Sequence, residues 1–168
     1  MNAAELSLAA DLSPSAAIYR FVADQETFSE VPYLGAGGEW VQGWGHTRGV
    51  TKDSPPITHE ISERWLAEDL ERAADTIRTW VSVPLTQGQF DALVSLVFTT
   101  GTGRQGQKSG FVWLKSGQHS TLLTKINAGD YIAAGAEFAR WVHSGGKRLG
   151  GLEKRRELEM KMWKGDQR

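Results

Sequence analysis

The spacing of hydrophobic residues predicts helices over most of this chain. Its clearest feature is an apolar stripe at positions 61, 65, 66, 70, 73, 77, 80 and 81. Steps of three and four residues place these side chains on one face of a helix. Thr58 precedes the stripe and suits an N-cap, so a long amphipathic helix is expected over residues 58–81.

The region before this helix is predicted to contain one short helix and one hairpin. Ser13 and Pro14 are typical of an N-cap followed by proline at the first helical position, and Glu26 is expected at the end of that helix. Residues 1–13 form a polar lead-in. Between positions 31 and 47, glycines, a proline and β-favouring side chains indicate a small hairpin or meander.

The second half of the chain is predicted to be helical. The run GQFDALVSLVF, residues 88–98, is so rich in apolar residues that the helix is expected to be buried on nearly all sides. Shorter helices are expected over residues 120–126, 130–142 and 152–163. The fold class is therefore α+β and predominantly α-helical, and no internal repeat or low-complexity tract interrupts it.

Composition is that of one domain with a substantial core. The chain has 168 residues, of which 40% are hydrophobic. It has no cysteine, which excludes disulfides, thiolate metal sites and cysteine nucleophiles. No apolar run approaches the roughly 18 residues that span a bilayer. Glu5 and Asp11 interrupt the N-terminal segment, so we expect neither a signal peptide nor a membrane anchor.

Charge is unevenly distributed along the chain. Residues 60–75 contain six acidic and two basic side chains, whereas residues 147–168 contain eight basic and four acidic ones. Because the basic residues of the second segment alternate with glutamates, we interpret it as a solvated helix surface. No nucleic-acid partner is expected.

One segment carries candidate chemistry. Glu26 stands seven residues before Tyr33, and a glycine-rich stretch then ends in Gly-Trp-Gly-His-Thr at positions 43–47. This arrangement resembles the active-site segment of phage-type lysozymes, glycoside hydrolase family twenty-four. In that family an Asp or Cys and then a Thr follow the glutamate at fixed distances. Gly35 and Val41 occupy those two positions here.

The resemblance extends over roughly residues 16–163. The segment from position 84, PLTQGQFDALVS, is similar to a family block of the form P-L-T-x-x-Q-F-D-A-L-V-S, and GLEKRRELE from position 151 completes the match. Thr99 stands where the family usually has asparagine. The resemblance implies a single lysozyme-like domain with two lobes. The expected parts are an N-terminal β-containing lobe over about 14–57, a connecting helix over 58–81 and a helical lobe over 82–168.

The resemblance implies cleavage of the β-1,4 bond between N-acetylmuramic acid and N-acetylglucosamine in peptidoglycan. Glu26 would be the general acid. An inverting hydrolase also needs a carboxylate that activates water, and neither Gly35 nor Val41 can supply one. Glu39 lies two residues before Val41, on the same face of a regular strand, and is a candidate surrogate base. A solvent-exposed turn residue is the alternative reading of Glu39.

Three mechanisms therefore remain open from the sequence. The first is hydrolysis with Glu39 as surrogate base. The second is lytic transglycosylation, in which the sugar's own 6-hydroxyl attacks and Glu26 alone suffices. The third is no catalysis, in which the chain is a glycan-binding or structural phage protein.

Other positions acquire roles from the same resemblance. His46 and Asp69 would form a structural pair, and either Arg155 or Arg156 would contact Glu26 or the substrate. Of the tryptophans, Trp65, Trp80 and Trp141 are expected in the core, whereas Trp40, Trp44 and Trp113 are expected near the cleft. The candidate substrate contacts are Tyr33, Gly35, Val41, Thr99, Thr100, Arg155 and Arg156.

The expected setting follows from the family. The partner would be the glycan strands of bacterial peptidoglycan, with no cofactor, no metal and no membrane anchor, and the protein would be a monomer. It would reside in the host cytoplasm until lysis, depend on a holin for access, and then act on the periplasmic cell wall. A place in the phage particle is the alternative.

Overall fold

The computed structural model describes residues 5–165, and within them six helices surround three short antiparallel β-ladders. This confirms the α+β, mainly helical fold class. The helices are α1 Ala16–Gln25, α2 His59–Trp80, α3 Gln87–Thr100, α4 Thr121–Asn127, α5 Tyr131–Glu137 and α6 Gly150–Lys164. The strands are β1 Ser7–Leu8, β2 Ser29–Leu34, β3 Trp40–Gly43, β4 Pro84–Leu85, β5 His143–Ser144 and β6 Lys147–Arg148.

Helix α1 begins two residues later than predicted. Its N-cap is Ser15, whose hydroxyl accepts from the backbone N–H of Ile18. The same serine donates from its backbone N–H and its hydroxyl to the carboxylate of Asp91 on α3. The prediction of Ser13 as N-cap was wrong because this tertiary contact with Asp91 outweighs the local Ser-Pro signal.

Helix α2 confirms the longest hydrophobic stripe. The Thr58 hydroxyl accepts from Ile61 N–H and caps it, and Leu66, Leu70 and Ile77 are buried. The stripe fails at its last turn, since Trp80 is 36% exposed and is not a core residue. There the Trp80 ring faces the loop of residues 101–119.

Helix α3 is the centre of the core. Thr86 and Gln89 form a reciprocal capping box at its start. From position 89 to position 97 every residue is buried, as its composition predicted, and the helix packs against α2 and α6. Its polar members, Asp91 and Ser95, both bond to residues of other helices.

The β-structure is more extensive than the sequence predicts. The β2–β3 hairpin lies where it was expected, with Tyr33 opposite Val41. The N-terminal segment is not only a polar lead-in, because β1 pairs with β4 and Ala9 is buried. The helix predicted over residues 130–142 is shorter, because α5 ends at Glu137 and a 3-10 turn follows; the β5–β6 hairpin, which was not predicted, comes after it.

Within residues 5–165, no helix combines the length and hydrophobicity needed to cross a membrane.

Candidate active site

Glu26 lies at the junction of α1 and the β2–β3 hairpin. It is the C-cap of α1, and its backbone is already extended while its N–H still donates to Val22 O. This change of backbone direction turns the side chain out of the helix, where 21% of it is exposed. Arg155 on α6 donates from Nη1 to Glu26 Oε1 at 2.6 Å. Glu26 thus has one oxygen held and remains reachable from solvent.

Gly45 leaves the space that the second carboxylate oxygen occupies. A Cβ atom at Gly45 would lie 3.0 Å from Glu26 Oε2 and 3.2 Å from the Phe98 ring. Gly45 also has a φ of +78°, in the left-handed region that favours glycine. The Gly-Trp-Gly turn therefore brings backbone directly against the acid, which a side chain at position 45 would prevent.

Arg155 is held in turn by a buried polar cluster. Its Nε donates to Ser95 Oγ and lies 3.5 Å from Glu159 Oε1, and its guanidinium stands over the Phe98 ring. Glu159 also accepts from Arg156 Nη2. Two guanidinium groups thus face two carboxylates, so the formal charges of this Glu26–Arg155–Glu159–Arg156 cluster balance.

Burial shifts the pKa values of Glu159 and Arg156, the fully buried ion pair of this cluster. It raises the pKa of the Glu159 carboxyl, an effect that the two arginines and Ser95 oppose. It also lowers the pKa of Arg156 to about 10. The short contacts between guanidinium and carboxylate favour the ionised pair, so we treat Glu159 and Arg156 as charged near neutral pH.

The structure separates the roles of the two candidate arginines. Arg156 is 1% exposed, and it reaches Glu159 and the hydroxyl of Thr99. Thr99 and Thr100 both donate their hydroxyl hydrogens to Leu96 O within α3. Arg155 is therefore the arginine in contact with Glu26, whereas Arg156 contacts Glu159 and Thr99 on the buried side of the cluster.

Glu39 lies beside Gly35, where the resemblance predicts an Asp or Cys. A Cβ atom at Gly35 would stand 3.2 Å from Glu39 Oε1 and 2.9 Å from Val41 Cγ2. Gly35 N–H donates to Glu39 O, which folds the hairpin end so that residues 35, 39 and 41 meet. The carboxylate of Glu39 therefore fills the volume that a side chain at position 35 would enter.

The pKa of the Tyr33 phenol is affected by the carboxylates of both Glu26 and Glu39. Burial raises the pKa of its phenol, and the negative charges of Glu26 and Glu39 raise it further. Tyr33 itself is 38% exposed and lies opposite Val41 in the hairpin. The negative charges of Glu26 and Glu39 thus both act on the Tyr33 phenol, and Glu39 itself is exposed.

We predict that Glu39→Gln lowers the pKa of Tyr33 toward its ordinary value, because it removes one of the two negative charges that oppose ionisation of the phenol. Burial should keep the value above 10, the ordinary value. Ring-labelled NMR titration checks this, with Tyr19, which is raised by burial and Glu71, as the internal control. An unchanged Tyr33 would contradict the placement of Glu39 in this site.

A groove lies beside Glu26, lined by Gly45 and Phe98 next to the acid but not by Glu26 itself. Its cavity measures about 260 Å³. His46 is buried at its side, with Nδ1 2.7 Å from Asp69 Oδ2 and its ring stacked on Trp65. The lining residues are Gly45, Thr47, Asp69, Arg72, Ala73, Thr76, Val97, Phe98, Gly101 and Thr102.

Two hairpin tips meet beside this site. A Cβ atom at Gly145, between β5 and β6, would lie 2.9 Å from the carbonyl oxygen of Ala36 at the tip of the β2–β3 hairpin. The sequence did not predict this contact. Nor did it predict that Ser95, Glu159 and Gly45 help to position Glu26. Ser95 had one signal, a polar residue in the middle of an otherwise apolar helix.

Comparison with known proteins gives a consistent result. A family model described as phage lysozyme matches residues 23–159. The endolysin of Acyrthosiphon pisum secondary endosymbiont phage 1 is 40% identical over 131 residues, 76% of this chain and 81% of that protein. The SAR-endolysin of Escherichia phage Mu is 35% identical over 138 residues, 82% of this chain and 73% of that protein.

A solved structure shares the fold over nearly the whole chain. The muramidase domain of SpmX from Asticaccaulis excentricus is 26% identical, with a TM-score of 0.72. The match covers 90% of this chain and 97% of that one. The region matched by the family model includes both Glu26 and Arg155.

Proposed function

This chain belongs to the phage lysozyme family, and from that premise we propose that it cleaves the glycan backbone of bacterial peptidoglycan. The bond is the β-1,4 link between N-acetylmuramic acid and N-acetylglucosamine. The observation that carries the proposal is Glu26, a partly exposed carboxylate held by Arg155 next to the glycine turn that lines a groove. Both the named endolysins and the named muramidase domain support this substrate.

In the proposed reaction Glu26 is the general acid. Arg155 engages Oε1, so Oε2, beside Gly45, is the oxygen that carries the proton to the glycosidic oxygen. As the bond from the anomeric carbon to this oxygen breaks, the leaving sugar takes the proton and Glu26 becomes a carboxylate. Arg155 then faces a full negative charge and stabilises it.

Glu39 is the proposed general base. It would accept one proton from a water molecule while the water oxygen bonds to the anomeric carbon, which inverts its configuration. The position of its carboxylate beside Gly35 supports this role, because the resemblance places an Asp or Cys of the family at position 35. Because Gly35 has no side chain, it leaves room for the Glu39 carboxylate.

Product analysis tests the proposal. Hydrolysis by water gives reducing muramic acid ends, and we expect Glu39→Gln to lower their rate of formation by about a hundredfold, at the lower end of general-base effects. The matched control is Glu30→Gln, an exposed acid on β2. Formation of 1,6-anhydro ends, with Glu39→Gln unaffected, would instead mean attack by the sugar's own hydroxyl.

A carboxylate returned to position 35 should rescue the loss of Glu39. In Glu39→Ala the glutamate no longer crowds Gly35, and Gly35→Asp then requires a small shift of the Val41 side chain, whose Cγ2 would be 2.9 Å from the new Cβ atom. We expect the double variant Gly35→Asp, Glu39→Ala to recover hydrolysis relative to Glu39→Ala alone. If Gly35→Asp has no effect in either background, position 35 does not face the reacting water.

The proposed biological setting is phage-induced lysis of the host. The protein would act as a monomer on the periplasmic wall and reach it through a membrane opened by a holin. Complementation of a phage that lacks its endolysin, with and without its holin gene, tests this setting. Lysis that proceeds without the holin would contradict the dependence.

A further inference from the structure

A second cavity lies beyond the groove on the helical side of the protein. It measures about 580 Å³, within the range of ligand pockets in proteins. Its lining consists of Trp80, Val112, Trp113 and the segment 102–105. Thr102 also lines the groove cavity, so the two cavities adjoin at this residue. A polymer that leaves the groove past Thr102 would reach the second cavity.

The aromatic side chains of this cavity form a fixed platform. Three rings pack against one another here: Trp80 meets Trp113 edge-on with centroids 5.6 Å apart and lies 5.4 Å from His119, and His119 stacks on Trp113 at 4.2 Å. His119 is anchored through Nδ1 to Val112 O, and Trp80 O accepts from Asn127. A large aromatic side chain that is fixed yet 36% exposed, as Trp80 is, presents a preformed binding surface.

The segment of residues 101–120 around this platform carries basic but no acidic side chains. Its basic residues are Arg104, Lys108 and Lys115. Arg104 and Gln105 lie in the cavity wall itself. Their guanidinium and amide groups can bond to sugar hydroxyl and acetamido groups, while the surplus positive charge favours a polymer that carries carboxylates.

We propose that Trp80, Trp113, Arg104 and Gln105 form an accessory subsite that binds a sugar of the peptidoglycan strand outside the catalytic groove. The C–H face of a hexosamine ring would stack on the exposed indole of Trp80. Arg104 and Gln105 would bond to the ring substituents, and the acidic peptide stems of the strand would lie near Lys108 and Lys115. This inference rests on the proposed action on glycan strands, and it adds a substrate-length preference to that action.

Glycan binding by a variant that cannot cleave its substrate tests the subsite directly. In the Glu26→Gln background we expect Trp80→Ala to weaken binding of long, peptide-free glycan strands about tenfold, the effect of losing one strong aromatic contact. Trp80→Phe should recover most of the affinity, because it restores an aromatic face. Ile132→Ala, which truncates an apolar residue that is 91% exposed on α5, is the control and should bind as the parent does.

Substrate length gives a second readout in the active protein. Trp80→Ala should raise KM for long strands while leaving cleavage of short peptidoglycan glycan fragments, which occupy the groove alone, unchanged. Equal effects on long and short substrates would mean that Trp80 only supports the fold, and would overturn the proposal. Thermal melts of Trp80→Ala and Trp80→Phe identify any general loss of stability.

Two further outcomes have definite meanings. If binding depends on Lys108, Lys115 and salt but not on Trp80, the surface is a simple anion-binding patch and the sugar subsite is overturned. If wild type cuts no wall preparation, yet strands still bind through Trp80, the proposed catalysis fails while the subsite stands. If it cuts strands and Trp80→Ala behaves as wild type, only the subsite fails.

Discussion

Glu26→Gln is expected to abolish cleavage of peptidoglycan while leaving the protein folded. The amide keeps the shape of the side chain and an oxygen that can accept from Arg155 Nη1, but it has no acidic proton for the glycosidic oxygen. General acid catalysis contributes about a hundredfold to ten-thousandfold, so the loss should reach at least that range. Turbidity of purified cell walls and release of soluble muropeptides measure it.

The control for this variant is Glu30→Gln on β2, a neutralised carboxylate that is exposed and whose side chain forms no hydrogen bond or ion pair within residues 5–165. It should cleave as wild type does. Circular dichroism and the urea unfolding midpoint show whether both proteins are folded. A Glu26→Gln protein that is folded and fully active would remove Glu26 from the reaction.

The parts of the fold that the sequence predicted correctly depend on local signals. The α2 stripe, the Thr58 cap and the capping box of α3 involve residues within a few positions of each other. Helical spacing and cap chemistry are local properties, so one sequence suffices to locate them.

The incorrect predictions concern elements whose structure depends on residues that are distant in the sequence. Ser15 caps α1 because Asp91, 76 positions later, holds it. Trp80 continues the stripe in spacing, but the element that faces the last turn of α2 is a loop and leaves the ring exposed. The strands β5 and β6 have two residues each, too few for an alternating pattern to be visible.

The candidate site divides in the same way. Glu26 was found because its distance to the glycine-rich turn is a local spacing. The relation between Glu39 and Gly35 depends on how the hairpin end folds, which the sequence left open between a surrogate base and a surface residue. The cluster behind Arg155 could not be found, because Ser95 and Glu159 are 64 positions apart and meet only through the packing of α3 on α6.

Glu159→Gln is expected to lower the free energy of unfolding by about 3–5 kcal/mol, the loss found when one partner of a buried ion pair is removed. Glu159 is fully buried, and without its charge the Arg155 and Arg156 guanidiniums would share a single carboxylate, that of Glu26. Urea unfolding measures the change. Glu157→Gln, an exposed acid on the same helix, should shift stability by no more than about 0.5 kcal/mol.

Removing Glu159 and Arg156 together should restore much of this stability. In the double variant Arg156→Met, Glu159→Met no uncompensated charge remains buried, and apolar replacements of buried ion pairs are often neutral or stabilising. A double-mutant cycle gives the coupling between the two residues. Single and double variants of equal stability would contradict a charged pair.

Activity of that double variant separates support of the fold from orientation of the acid. Arg155 keeps Ser95 and Glu26 as partners but loses Glu159, the carboxylate 3.5 Å from its Nε. We expect recovered stability with kcat still below wild type, because an arginine held on fewer sides fixes Glu26 Oε1 less firmly. Full recovery of kcat would mean that Glu159 serves only to neutralise Arg156, and that Ser95 and Phe98 suffice to orient Arg155.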